Sequence, residues 1–266
     1  MKTRIISAII ALIIFVPIFF YGKLPYTLAI FLLSIQGLKE FIKTYENKKE
    51  VPQFVQFISY LIISAFTLGV SNVEAISFTV DFRFVAGIIL LYLIPVIIYQ
   101  DEKTYSILDA FTMIGSIFLL GSGFVLLIVL RNMNMLWLIY LFIITIITDT
   151  YALITGMLVG KHKCIEKISP NKTWEGILGG TFMATFIGSI YFSTVITSEI
   201  PILFVIGMTL FLSIIGQFGD FIFSAIKRNF KIKDFSNIMP GHGGVLDRLD
   251  SIIFVLLAFV FFIELM

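Results

Sequence analysis

The sequence predicts an all-α polytopic membrane protein with about nine transmembrane helices and a polar cavity that faces the cytoplasm. Of the 266 residues, 59% are hydrophobic and 14% are charged, whereas soluble domains average about 25% charged residues. The apolar residues are grouped in stretches of about 20, the length that crosses a bilayer as a helix. The lysines and arginines are distributed unevenly among the connections between these stretches.

Nine apolar stretches are separated by short polar breaks. The tightest break, Gly22-Lys23-Leu24-Pro25, predicts a helical hairpin or a kinked pair. Lys2 and Arg4 precede the first stretch as they would in a signal peptide, but no small-residue cleavage site follows, so a retained span is expected. The predicted spans are roughly 5–22, 24–42, 52–73, 82–100, 104–130, 134–158, 174–197, 201–226 and 245–265.

The basic residues predict the orientation, because cytoplasmic connections are enriched in Lys and Arg. With the N-terminus in the cytoplasm and nine alternating spans, 16 of the 19 basic residues lie inside. Only Lys23, Arg83 and Arg131 lie outside. The prediction is therefore a multi-pass protein of the cell inner (cytoplasmic) membrane, with residues 224–250 on the cytoplasmic side.

The first half of the chain has few polar residues within its spans. The charged segment from Lys39 to Glu50 is interpreted as a solvated cytoplasmic connection, and Asp109 as a side chain at the membrane interface. Residues 1–100 are predicted to be a scaffold with possible oligomer contacts, such as those of a homodimer, and residues 101–266 the catalytic region. The net charge of +2 does not indicate nucleic-acid binding, and the single cysteine, Cys164, excludes an internal disulfide.

Polar side chains at membrane depth point to a functional site, because an ionisable group within a span is costly. Asp149 shares a helix face with Thr145, and it is either functional or held by neighbouring threonines for packing. A polar stripe in the eighth span must face protein or a water-filled cavity, because its flanks are lipid-compatible. Its members, spaced by three or four residues, are Gln217, Asp220, Ser224, Lys227 and Lys231.

The connection before the seventh span predicts a helix start. Thr173 is expected to cap the helix, and Glu175 lies in the first turn, where the helix dipole favours an acid. A helix N-terminus beside Lys172 would also bind phosphate. Gly176 and the pair Gly179-Gly180 predict close helix packing.

The ninth span begins with Asp247, Arg248 and Asp250, after the loop Pro240-Gly241-His242-Gly243-Gly244. Asp247 is either a helix cap or a ligand. The glycines allow backbone N–H groups to approach an anion. Together with the lysines, these residues suit a nucleotide triphosphate bound with Mg²⁺, which is held by one or two carboxylates plus phosphates.

Two segments resemble the phosphatidate cytidylyltransferase (CDP-diacylglycerol synthase) family. The longer is the 27-residue run from Ser224 to Asp250, with Lys227-Arg228 and His242-Gly243-Gly244 at the family's positions. The shorter runs from Ser169 to Gly176. The resemblance implies that CTP and phosphatidic acid react to give CDP-diacylglycerol and pyrophosphate. It also implies Mg²⁺ and, in some members, a monovalent cation such as K⁺.

The residues and the resemblance together predict the site. Asp220 and Asp247 are the expected metal ligands. The other expected catalytic residues are Asp149, Lys227, Arg248 and Asp250. The expected substrate- and phosphate-binding residues are Ser169, Asn171, Lys172, Thr173, Glu175, Ser224, Arg228, Lys231, Lys233, Asp234, His242, Gly243 and Gly244. The candidates for reading the cytosine base are Asn171, Ser236, Asn237 and His242.

Two other functions use the same residue types. A CTP-dependent polyprenol or dolichol kinase would transfer the γ-phosphoryl group, and the match to the 27-residue run argues against it. A cation-coupled membrane transporter would use Asp149 and Asp220 as an intramembrane relay. It would need polar residues that continue towards the outer side, where the spans are apolar.

Overall fold

The computed structural model describes residues 13–70, 82–239, 241, 243–263 and 265. Within them the chain is mostly helical, with one short strand pair. The helices are α1 (described from 13 to 21), α2 (Lys23–Glu46), α3 (Gln53–Gly69), α4 (Phe82–Tyr99), α5 (Ile107–Met133), α6 (Met135–Val159), α7 (Trp174–Tyr191), α8 (Ile202–Asn229) and α9 (Leu246–Ile263). Strands β1 (Lys163–Ile165) and β2 (Ser169–Thr173) lie between α6 and α7, and a π-helical segment, Phe192–Ile196, follows α7.

Each predicted span overlaps one of these helices. Among the described residues, five helices are long and apolar enough to cross a membrane: α4, α5, α6, α7 with its π-helical extension, and α8. Helix α3 is apolar but has only 17 residues. The five helices agree with a multi-pass membrane protein, and the number nine stays a prediction.

The chain forms two compact units. The first comprises Met1–Met133 and Asp234–Arg248, and the second comprises Asn134–Lys233 and Leu249–Met266. The predicted division of the chain into a scaffold (residues 1–100) and a catalytic region (residues 101–266) stays a prediction.

In the first unit, the break predicted after α1 is present. Gly22 has φ +70°, a conformation that glycine adopts without steric cost. The Arg131 guanidinium lies against Gly22 and donates hydrogen bonds to the carbonyl oxygens of Phe19 (3.1 Å) and Phe20 (2.9 Å). A cation thus satisfies the last carbonyls of α1, where the helix dipole favours positive charge.

Two predictions about the first unit need correction. The Lys39–Glu50 segment is solvated at Lys39, Lys43, Glu46, Lys48 and Glu50, but α2 continues to Glu46 and the Glu40 side chain is buried. Asp109 does not face the interface: it is buried, pairs with Lys49, and accepts hydrogen bonds from the Tyr45 hydroxyl and the Ser106 backbone N–H. Charges at the end of an apolar helix suggest solvent exposure, but here they meet partners on neighbouring segments.

The second unit is built on close packing of α6 against α7. A Cβ atom at Gly176 would lie 2.6 Å from the Ala152 carbonyl oxygen, and one at Gly180 would lie 2.5 Å from that of Thr148. These glycines, one turn apart, let the two backbones approach as small residues do in membrane helix pairs. The predicted packing role of the glycines is confirmed.

The β1–β2 hairpin is an addition to the predicted all-α fold. The strands are antiparallel, with Lys163 opposite Thr173 and Ile165 opposite Ser169. The segment has few apolar residues and no clear alternation, so its sequence carries little strand signal. The hairpin places Ser169–Thr173 directly before α7.

Candidate active site

Thr173 and Glu175 attach the hairpin to the start of α7. The Thr173 hydroxyl accepts a hydrogen bond from the Gly176 N–H at 3.1 Å, which confirms the predicted cap. Glu175 accepts hydrogen bonds from the backbone N–H groups of Lys161 and His162, each at 3.2 Å, and contacts His162 Nδ1 at 2.6 Å. These contacts fix both ends of the hairpin, and the predicted substrate role of Glu175 stays a prediction.

A cavity of about 560 Å³ lies in the second unit. Its volume falls in the range of small-molecule sites, roughly 300–1,000 Å³. One part of the wall is polar and the other is apolar. The polar part consists of Asp149, Lys163, Ser169, Asn171, Lys172, Thr173 and Asp220, and the apolar part includes Ala152, Leu153, Met157 and Ile177. Six of the seven polar residues are predicted site residues, and Lys163 is the addition.

An ion pair between Lys172 and Asp220 lies in the wall of this cavity. The two side chains are 23% and 24% exposed. Lys172 Nζ also lies 4.7 Å from the centre of the Phe221 ring, and the Ser224 hydroxyl contacts Asp220 Oδ1 at 3.3 Å. The cation comes from β2 and the carboxylate from α8, so two elements at different positions in the sequence meet at the site.

Further charged groups surround this pair within the second unit. Asp250 lies close enough to Asp220 and Asp149 to be repelled by them, and close enough to Lys227 to be attracted. Lys227 is 8% exposed. Two carboxylates and a buried lysine therefore act on Asp250.

The polar stripe of α8 faces its neighbours as far as Lys227. Gln217 donates a hydrogen bond to Thr181 of α7 at 2.7 Å. Lys231 does not continue the stripe, because α8 ends at Asn229 and Lys231 has φ +57° beyond that end.

The other predicted residues of the second unit lie near the chain's exit from α8. Arg228 is exposed and donates hydrogen bonds to the carbonyl oxygens of Ile168 (3.3 Å) and Ile232 (3.0 Å). Lys233 is exposed. Phosphate binding by this group stays a prediction.

In the first unit, Asp247 contacts the backbone of the glycine-rich loop. Its Oδ2 accepts hydrogen bonds from the N–H groups of Phe235 (2.8 Å) and Gly244 (2.9 Å). Gly243 has φ +84°, and a Cβ there would lie 2.7 Å from Asp247 Oδ2. The Gly244 amide, predicted to meet phosphate, is thus already engaged by Asp247.

Three other residues of this segment are also predicted site residues. Asp234 and Arg248 are exposed. His242 lies outside the described residues. Their predicted substrate roles stay predictions.

Glu40 of α2 is not among the predicted site residues, yet it touches the signature loop. Its carboxylate accepts hydrogen bonds from the Ser236 hydroxyl (2.7 Å) and from the N–H groups of Val245 and Leu246 (3.0 Å each). The sequence held one signal for this contact, an acid on an otherwise largely apolar helix three residues after Gly37. No spacing in the sequence indicates which distant segment that acid meets.

The donor set of the cavity fits Mg²⁺ that arrives with a nucleotide. Among the described residues, no three His, Cys, Asp or Glu side chains converge closely enough to hold a metal ion on their own. Asp149 and Asp220 line the same cavity, and one or two carboxylates suffice for Mg²⁺ when phosphates and water complete the shell. Asp247 fits less well, because two backbone N–H groups already occupy its Oδ2. A site for K⁺ stays a prediction.

The chain matches the cytidylyltransferase family over residues 2–266. It is 35% identical over 259 residues to a phosphatidate cytidylyltransferase of Staphylococcus aureus (strain COL), with 96% of each chain covered. It is 34% identical over 276 residues to the phosphatidate cytidylyltransferase of Bacillus subtilis (strain 168), covering 99% of this chain and 97% of the relative. The alignments include both the cavity and the signature loop. The chain therefore belongs to the cytidylyltransferase family.

Proposed function

We propose that this enzyme transfers the cytidylyl group of CTP to phosphatidate, giving CDP-diacylglycerol and pyrophosphate. The observation that carries the proposal is the cavity of the second unit, in which Lys172, Lys163 and Asp220 share a wall with apolar side chains. Both substrates are polyanions, and one is a lipid. A wall that is part cationic and part apolar suits that combination.

The Lys172–Asp220 pair prepares the site for a triphosphate. Lys172 and Asp220 both line the cavity, so a triphosphate that enters with its cation can give each of them a new partner of the same charge as the old one. Lys172 would then bind the phosphate oxygens. Asp220 and Asp149, which line the same cavity, are the carboxylates that would hold Mg²⁺.

The reaction needs positioning more than acid–base chemistry. A phosphatidate oxygen forms a bond to the α-phosphorus of CTP, the bond from that phosphorus to the bridging α–β oxygen breaks, and pyrophosphate leaves with the electron pair. A phosphate monoester has its second pKa near 6, so the attacking oxygen is largely deprotonated at neutral pH. Bound Mg²⁺ would neutralise the charge that develops on the leaving group. Lys163 and Lys172 hold the phosphates in line.

The apolar part of the wall provides the lipid's route. Leu153 and Met157 of α6 line the cavity and are 63% and 70% exposed. In a membrane protein such exposed apolar side chains contact acyl chains. Phosphatidate can therefore bring its head group to Lys172 while its tails stay in the bilayer.

The enzyme's membrane topology completes the proposal. Nine spans, with the N-terminus and the hairpin in the cytoplasm, follow the distribution of Lys and Arg, of which 16 of 19 fall inside. This orientation gives the site access to cytoplasmic CTP. A homodimer through residues 1–100 is part of the same proposal.

A double-label assay tests the reaction. Purified protein is incubated with phosphatidate, Mg²⁺ and CTP labelled at either the α- or the γ-phosphorus. Cytidylyl transfer puts only the α-label into the lipid and releases the γ-label as pyrophosphate. If the γ-label appeared in a lipid acceptor instead, the protein would be the kinase. If CTP were not turned over and the protein carried cations into vesicles, it would be the transporter.

A further inference from the structure

We propose that Glu40 is a positioning residue that holds the glycine-rich signature loop in its binding conformation. The proposal deepens the cytidylyl-transfer function and rests on it. Glu40 belongs to α2, far from the signature in sequence, and is 2% exposed. It lies outside every segment that resembles the family's signature.

The Glu40 carboxylate accepts four hydrogen bonds. Oε1 accepts from the Ser236 hydroxyl, the Val245 N–H and the Gln36 side-chain amide, at 2.7, 3.0 and 3.2 Å. Oε2 accepts from the Leu246 N–H at 3.0 Å. Val245 and Leu246 stand where α9 begins, so the negative charge also meets the positive end of the helix dipole.

Glu40 and Asp247 close the loop together. Asp247 accepts hydrogen bonds from the N–H groups of Phe235 and Gly244. Glu40 accepts hydrogen bonds from the Ser236 hydroxyl and from the N–H groups of Val245 and Leu246. We call these five contacted residues the loop base. Each carboxylate thus links the start of the loop, Phe235-Ser236, to its end, Gly244-Val245-Leu246.

The close fit of Glu40 explains the second glycine of the pair. A Cβ atom at Gly244 would lie 2.5 Å from Glu40 Oε2, well inside van der Waals contact. Any side chain at residue 244 would push the carboxylate off the loop base. The glycine is needed here for the approach of Glu40.

Packing on α2 fixes the position of the carboxylate itself. Gly37 lies one turn before Glu40, and a Cβ there would lie 3.1 Å from Leu246 Cδ2. Leu246 is fully buried. The same residue therefore packs its side chain on Gly37 and donates its N–H to Glu40, which sets the register between α2 and the loop.

This arrangement limits which hydrogen-bonding groups of the loop can bind a substrate. The amides of Gly244, Val245 and Leu246 are engaged by the two carboxylates. The Ser236 hydroxyl donates its proton to Glu40 and accepts from the Ile238 N–H at 3.3 Å, so it is a poor candidate for reading cytosine. Glu40 holds the two ends of the loop together at the loop base, and CTP affinity depends on that contact.

The test compares Glu40→Gln with Glu46→Gln, the same change at an exposed acid of the same helix. Glutamine keeps the size but replaces one acceptor oxygen with a donor that faces N–H groups. We expect kcat/KM for CTP to fall about 10–100-fold, as for other groups that orient a site. The loss should lie mainly in KM for CTP, with KM for phosphatidate unchanged. Glu46→Gln should stay within twofold of the unsubstituted enzyme.

Hydrogen exchange gives a readout that does not depend on the reaction. The amides of Val245 and Leu246 should exchange faster in Glu40→Gln and unchanged in Glu46→Gln. Unchanged exchange, or equal losses for CTP and phosphatidate, would overturn the proposal. If the unsubstituted enzyme made no CDP-diacylglycerol, the proposed function would fail, while the exchange result would still decide the contact.

Ser236→Ala is a second test of the same contact, for the case in which Glu40→Gln does not fold. It removes one hydrogen bond of the same carboxylate, so we expect a smaller rise in KM for CTP and faster exchange at Val245. A normal KM and normal exchange in Ser236→Ala would contradict the role of Glu40. Where both single variants fold, the double variant should be hardly worse than Glu40→Gln, and additive losses would also contradict it.

Discussion

The two units use carboxylates in opposite ways. In the second unit, Asp220 and Asp149 line an open cavity, and Asp220 faces a lysine. In the first unit, Glu40 and Asp247 face backbone N–H groups. A carboxylate paired with a mobile side chain can exchange that partner for a ligand, whereas one bound to several backbone amides holds structure.

The partners in the two arrangements support this distinction. Lys172 and Asp220 both line the cavity, so an entering substrate and its cation can give each of them a new partner of the same charge as the old one. A hydrogen bond to a charged group contributes roughly 1.5–3 kcal/mol, and an abandoned buried donor carries a further penalty. Glu40 has four such bonds. Substrate can therefore displace the cavity pair while the loop base stays intact.

Asp220→Asn should have the largest effect. The substitution keeps the shape but removes the charge that attracts Mg²⁺ and holds Lys172, so we expect turnover to fall on the order of 10³-fold. CDP-diacylglycerol formation by the purified variant measures it. Glu199→Gln, an exposed acid of the same unit, is the control and should keep full activity. Near-normal turnover in Asp220→Asn would remove this residue from the site.

Lys172→Met should come next. It removes a phosphate contact and leaves Asp220 without its partner, so kcat/KM for CTP should fall about 10²-fold. Lys172→Arg, which keeps the charge, should recover part of the loss. Because Lys172 and Asp220 act as a unit, the double variant should be hardly worse than Asp220→Asn alone. Additive losses would show that the two side chains work independently.

Gly244→Ala tests the loop base by crowding it. The new methyl group would meet the Glu40 carboxylate, and overpacking of this kind destabilises by about 1–3 kcal/mol. We expect a lower melting temperature and a raised KM for CTP. Gly115→Ala is the matched control in the same unit, because nothing lies within 4 Å of a Cβ at Gly115. Equal behaviour of the two variants would argue against a tight Glu40–Gly244 approach.

Cys164 offers a topology test with almost no expected effect on activity. It is the only cysteine of the chain and lies in β1. A membrane-impermeant maleimide should label it in inside-out vesicles and not in intact cells. Burial raises the pKa of the Cys164 thiol, against the opposing charge of Lys172. Since the thiolate reacts, labelling should speed up as the pH rises above neutral.

The control for this labelling places the cysteine on the side of the membrane that is predicted to lie outside. Cys164→Ser combined with Lys23→Cys moves the thiol to a connection predicted to lie outside. That variant should label in intact cells and keep activity within twofold. Labelling of Cys164 from outside intact cells would contradict the nine-span topology.

The sequence predicts the local features of this protein better than its distant contacts. Runs of about 20 apolar residues identify the helices, and the Thr173 cap and the Gly176–Gly180 packing follow from short spacings. The β1–β2 hairpin is missed because its strands lack an apolar alternation. Lys231 is misplaced because the end of α8 has no strong breaker in the sequence.

Glu40 shows why the remainder of the site is harder to predict. A carboxylate near a helix end has the same composition whether it faces water or a distant backbone. Only folding brings Glu40 to Val245, 205 residues away. Asp109, which meets Tyr45 and Lys49, is misread for the same reason.

The Mg²⁺ dependence of CDP-diacylglycerol formation tests most directly whether Asp220 binds the metal ion while Glu40 holds the loop base. The rate is measured against Mg²⁺ at saturating phosphatidate for the unsubstituted enzyme, Asp220→Asn and Glu40→Gln, at several CTP concentrations. We predict that Asp220→Asn shifts the Mg²⁺ requirement upward at every CTP concentration. Glu40→Gln should raise KM for CTP and leave the Mg²⁺ requirement at saturating CTP unchanged. An unchanged Mg²⁺ requirement in Asp220→Asn, or a shifted one in Glu40→Gln at saturating CTP, would contradict the division of roles.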